Sequence, residues 1–149
     1  MGVRREGREA AVQYLYLRDL NGDSDLPAYY KFRGLSPSAR RFCDELVQGA
    51  IEHQPSIDEV IRTNTQNYEL ARISVVDRNV LRVAIYEMLH CAEIPPVVSI
   101  NEAIEIAKKY STEESGRFVN GVLDQVMGAL KRPARTARHA ADEEGDKAC

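Results

Sequence analysis

The chain has no apolar run approaching the ~20 residues that a membrane span requires, and no basic-then-apolar segment of the secretory type opens it. The cytoplasm is the expected compartment, with no membrane contact. Cysteine is scarce: Cys43, Cys91 and Cys149 are odd in number and scattered, with no C-x-x-C pair, so neither a disulfide framework nor a zinc site is expected. There is no glycine-rich phosphate loop after a strand pattern, no nucleophile elbow, and the three histidines lie far apart. Glu87 and His90 form a single E-x-x-H pair, whereas a dinuclear carboxylate centre needs a second pair and two further inward glutamates. These absences point away from an enzyme and from any metal or cofactor. Neither sign of charge predominates either, with 20 basic against 23 acidic residues. The sum alone predicts no nucleic-acid partner; the distribution carries more information.

At 149 residues, 44% hydrophobic and 29% charged, the chain is long enough for one domain or two small ones sharing a core. Its apolar residues recur at helical spacing. From Arg4 to Leu20 a helix buries Ala11, Val12 and Leu15, with Tyr16 flanking the stripe. Asn21 to Leu35 reads as a loop of turn formers, packed down by Tyr29, Tyr30 and Phe32. Ser36 caps the next helix with Pro37 in its first turn, and Pro55 ends it. Ser56, boxed with Glu59, opens a third. Residues Thr63 to Ile73 are polar and irregular, the natural boundary between halves. Ser74 then caps a helix to His90 that is apolar on most sides and wet only along Arg78, Arg82 and Tyr86, as suits the centre of a bundle.

Two more helices fill residues 97–131. Ser99 precedes Glu102 by three residues and Ser111 precedes Glu114 by three, so each pair has the spacing of a capping box. The expected architecture is all-α: two packed three-helix bundles of roughly six to seven helices in all, over residues 1–66 and 67–132, followed by a disordered tail, 133–149, that is rich in acids.

Two features are unusual for plain helices. Arg4, Arg5 and Arg8 crowd a helix start, where the macrodipole disfavours each cation by about 0.3–1 kcal/mol, and Gly7 loosens the same turn. A frayed arginine arm suits phosphates, because guanidinium forks bind them bidentately; a merely solvated basic end is the alternative. Gly121 sits in mid-helix at a cost of about 1 kcal/mol, near Phe118, Glu114 and Arg117. The ring is either a stacking platform for an unpaired base or a core residue with Gly121 as a close helix contact. Spacing alone leaves both open.

The segments REGREAAVQYLY, VDRNVLRVAIYEM and VSINEAIEIAKKYSTEESGRFVNGVLDQV, in that order across residues 4 to 132, resemble the NusB family of bacterial transcription antitermination factors. The likeness is weak in the loop from Asn21 to Leu35 and absent in the tail. It implies two crossed three-helix bundles and a non-enzymatic role: with the ribosomal protein NusE, such factors bind the boxA element of ribosomal RNA transcripts and join an antitermination complex on RNA polymerase. The resemblance implies that Arg4, Arg5, Arg8, Glu114, Arg117 and Phe118 face RNA, and that Tyr16 and Asp77 face NusE. Phe118→Asp, or alanine at the three arginines, is then expected to weaken RNA binding with the fold unchanged. Some family members form homodimers that hide the RNA surface. The alternative is a helical scaffold that binds only proteins, or a domain like that preceding RNA methyltransferase modules, for which the short tail is read as leaving no room.

Overall fold

Ser36 and Ser74 act as caps. Ser36 Oγ accepts from the Ala39 amide at 3.3 Å, and Ser74 Oγ from the Asp77 amide at 3.2 Å, each satisfying a donor that the first helical turn leaves open. In the computed structural model, which describes residues 2–22, 25–65 and 69–130, these caps begin two of seven α-helices, and no strand forms among the described residues. The helices are α1 (Val3–Asn21), α2 (Leu26–Arg33), α3 (Pro37–Glu52), α4 (Gln54–Thr63), α5 (Val75–His90), α6 (Pro96–Tyr110) and α7 (Glu113–Leu130), with a 3₁₀ turn at Leu70–Arg72. The boundary near residue 66 and the acidic tail lie outside the described residues.

Three local expectations are corrected. The segment from Asn21 to Leu35 contains α2, because Asp25 Oδ1 caps Ala28 and Gly34 closes the helix at φ +66°, a conformation that costs glycine little. Tyr29 and Tyr30 pack inward as expected, but Phe32 is 86% exposed. The serine at each proposed box in the last two helices is not the cap. α6 begins at Pro96, so Ser99 is already helical and donates to Glu87 at 2.9 Å; α7 is capped by Thr112, whose Oγ1 accepts from the Ser115 amide at 3.0 Å. Likewise α4 begins at Gln54, before Ser56, with Pro55 in its first turn.

α5 packs against α1, α3, α4, α6 and α7, which is why its sequence is apolar almost all round. Of the strip expected to be wet, Arg82, 5% exposed, and Tyr86, 8%, are instead buried, and Arg78 is half-buried. Arg82 forks onto Asp58 at 2.9 and 3.1 Å and reaches Asp19 at 2.7 Å, tying α5 to α4 and α1. Tyr86 stacks on His90, which stacks on His53 at 4.1 Å between centroids. Gly49 of α3 makes room for the tyrosine ring, since a Cβ there would lie 2.0 Å from it. Burial, then the neighbouring His53, lowers the pKa of His90, which favours its neutral form in the stack. α6 and α7 form a hairpin across the two-residue link Ser111–Thr112, and one buried cluster runs from Ala10 to Val126 through both halves.

Candidate nucleic-acid interface

The basic end of α1 is ordered rather than frayed. The helix runs from Val3, and Gly7 lets it close on α3, since a Cβ there would meet Ala39 O and Phe42 at 3.0 Å. The repulsion between cations and the helix N-terminus is offset by acids from distant helices. Arg8 is 3% exposed and forks onto Glu87 of α5, with Nε to Oε2 at 2.9 Å and Nη2 to Oε1 at 2.8 Å. Arg5 forks onto Glu102 of α6 through Nε, at 2.9 Å, and Nη2. That bond holds the Glu102 carboxyl below, and the Arg5 guanidinium above, their ordinary ranges. Arg4 is exposed, its guanidinium 5.3 Å from the Phe42 ring centroid, a cation–π distance. Arg8 lies over the same ring at 5.2 Å. Of the three arginines only Arg4 and Arg5 present charge to solvent.

Glu87 therefore has a structural job. It is 1% exposed and accepts from Arg8 and Ser99, and no cluster of three or more metal-ligating side chains occurs among the described residues.

At the start of α7, Phe118 is half-buried against the core, while Glu114 and Arg117 are exposed. Gly121 has open space where a Cβ would be, so it is not a close helix contact. Phe118 and Glu114 line a recess of about 290 Å³ together with Arg72, Ser74 and Asp77. Asp77 is 7% exposed; its Oδ2 accepts from Ser115 Oγ at 3.2 Å, and its Oδ1 is buried without a hydrogen-bond partner. Leaving such an oxygen unpaired costs about 1–3 kcal/mol. Burial pushes the Asp77 carboxyl up, while the neighbouring Ser115 and Ser74 hydroxyls act in the opposite direction.

The residues expected to act together thus divide in three. Glu114 and Phe118 share the recess with Asp77, Arg117 sits on the same turn, and Tyr16 is half-buried on α1 and does not line it. The arginines sit at the far end of α1, on α3 and the first half of α6. Two further cations lie in the last turn of α6. Lys109 reaches Glu9 at 2.9 Å, and Lys108 reaches Glu105 at 3.4 Å; each reads in the sequence as an ordinary basic helix end. The surface alternates in sign, so it is no strongly basic patch.

A family model described as the NusB family matches residues 5–128. The transcription antitermination protein NusB of Trichlorobacter lovleyi is 45% identical over 139 residues, covering 91% of this chain and 98% of its own. That of Elusimicrobium minutum is 47% identical over 136 residues, covering 88% and 97%. Among solved structures, that of T. maritima NusB superposes with a TM-score of 0.76 at 40% identity, covering 88% of this chain and 92% of that one. A crystal structure of antitermination factors NusB and NusE in complex with double-stranded RNA superposes at 0.80 with 28% identity, covering 87% and 99%.

Proposed function

Because this chain belongs to the NusB family of transcription antitermination proteins, a non-enzymatic family, we propose that it binds single-stranded boxA RNA jointly with NusE and takes part in an antitermination complex on RNA polymerase in the cytoplasm. The observation that carries the proposal is the placement of Phe118: half-buried at the rim of a recess, beside the exposed Arg117, it keeps part of its ring at the surface. A single strand offers unstacked bases to such a ring and phosphates to guanidinium groups. Arg4, Arg5 and Arg117 serve the phosphates, with Arg8 holding the arm from beneath. Glu114 stands close to the strand and weakens its binding by repulsion. Tyr16 and Asp77 are assigned to the NusE side.

With so few outward cations, several of them already facing acids, binding by this chain alone is weak. A second RNA-contacting protein alongside raises the local concentration of strand without new contacts here. The test is a mobility-shift titration of boxA RNA, with and without NusE, at several salt concentrations. Each phosphate neutralised on a single strand contributes about −0.7 to the slope of log K against log salt. Three arginines predict a slope of about −2 for this chain and a steeper one for the pair. Equal affinity with and without NusE would contradict the proposal, as would a slope near zero.

A further inference from the structure

Phe32 on α2 is the most exposed large apolar residue among the described residues, at 86%. A single exposed apolar side chain is ordinary, so its surroundings decide what it means. Phe32 lies between Lys31 and Arg33 in the last turn of α2, which Gly34 closes. Ala28, one turn earlier on the same outward face, is exposed and too small to cover the ring. The helix macrodipole accounts for two cations at a C-terminus. It does not account for the phenyl ring, and the packing of α2 is done by its neighbours: Tyr29 meets Tyr14 and Gln13 of α1, and Tyr30 meets Asp44 and Arg40 of α3. Nor are these cations answered by acids. Arg5, Lys108 and Lys109 each face a glutamate, whereas Lys31 and Arg33 form no ion pair among the described residues.

The end of α2 also borders the corner where α6 passes into α7. Tyr110, the last residue of α6, donates to Glu9 of α1 at 2.8 Å. Burial and that bond push the Tyr110 hydroxyl up, while the nearby Arg33 guanidinium acts in the opposite direction. Beyond Tyr110 only Ser111 and Thr112 precede α7, which carries Arg117. Resting on the RNA role proposed above, we infer that Lys31, Phe32 and Arg33 form a second contact for the same single strand, outside the stretch held at α7: one unpaired base stacks on the Phe32 ring, and the two cations take the flanking phosphates. Stacking suits a lone ring because it needs one flat face and accepts any base. A protein partner is served less well. Bordered by Ala28 and two cations, the ring offers little of the apolar core that a stable protein interface requires. The site therefore adds affinity and lengthens the footprint without adding sequence preference.

The test measures fluorescence anisotropy of the full chain with NusE on the boxA strand alone and on the same strand lengthened by a run of adenosines at each end in turn. The wild type is expected to bind one of the lengthened strands at least about fivefold more tightly than boxA alone, the low end of what one stacked base supplies. Phe32→Ala should remove that gain and leave boxA alone bound within about twofold of wild type. Phe32→Tyr should keep the gain and Phe32→Leu lose it, which separates stacking from mere apolar contact. Lys31→Ala should lower the salt slope by about 0.7 on the lengthened strand and not on boxA alone. Because Phe32 and Lys31 are exposed, urea unfolding of these variants should match the wild type. No gain from either extension overturns the inference, as does a full gain in Phe32→Ala or Phe32→Leu. Loss of NusE binding in Phe32→Ala with the gain intact overturns it too and gives the ring to the protein partner. If boxA alone does not bind, the RNA role itself fails and this inference with it, a result distinct from loss of the gain.

Discussion

Alanine at Arg8 is expected to destabilise the fold by about 3–5 kcal/mol, the usual consequence of stripping one partner from a buried ion pair. Glu87 would remain buried, with the Ser99 hydroxyl as its surviving donor. The carboxylate would then have to be protonated or drag water inward, and both weaken the contact of α1 with α5. The measurement is urea unfolding, with Arg4→Ala as the control: Arg4 is exposed and lies over a ring rather than against an acid, so its replacement should stay within about 0.5 kcal/mol. A loss below about 1 kcal/mol for Arg8→Ala would contradict the buried placement. This bears directly on function. Replacing all three arginines together would abolish RNA binding through loss of structure, so only Arg4 and Arg5 test phosphate contact cleanly.

The second large effect is on RNA. Phe118→Asp removes a stacking face worth about 1–3 kcal/mol per base and adds a carboxylate beside Glu114, so affinity should fall at least about tenfold. Yet Phe118 also packs against the core as a half-buried ring, so an aspartate there strains the fold as well. Phe118→Leu separates the two contributions. It keeps an apolar side chain for the core while removing the flat face, and most of the RNA loss should persist with stability within about 1.5 kcal/mol of wild type. Mobility shifts and urea unfolding on both variants decide the matter. Full RNA affinity in Phe118→Leu would mean that packing, not stacking, explains the residue.

Helical periodicity and the serine caps at Ser36 and Ser74 make most of the helices legible in the chain itself, and the apolar wrap of α5 places it at the centre. The misplaced boundaries share a cause. α2 is hidden because Pro27 and Gly34 are turn formers and helix punctuation at once, and only the Asp25 cap distinguishes the two uses. The boxes at Ser99 and Ser111 have the right spacing in the wrong frame: Pro96 starts α6 earlier, and Thr112 takes the cap of α7. Spacing shows which residues could cap, while chain entry decides which do.

The pairing of the arginines is hidden for a longer-range reason. Glu87 is 79 residues from Arg8, and Glu102 is 97 from Arg5, so nothing near α1 indicates that its cations are answered. One clue does exist: an acid on the buried side of an almost wholly apolar helix needs a buried cation. Glu87 is that acid. The recess leaves no mark in the sequence because Asp77 and Phe118 come from different helices, and only the packing of α5 against α7 brings them together.

Ultraviolet crosslinking of single-stranded boxA RNA to the complex with NusE, followed by mass spectrometry of the RNA-bearing peptides, tests most directly whether this helical body holds an unpaired strand at Phe118. The expected adducts fall on the α7 peptide containing Arg117 and Phe118, and on the α1 peptide containing Arg4 and Arg5. Adducts confined to NusE, or to surfaces of this chain away from both helices, would contradict the account.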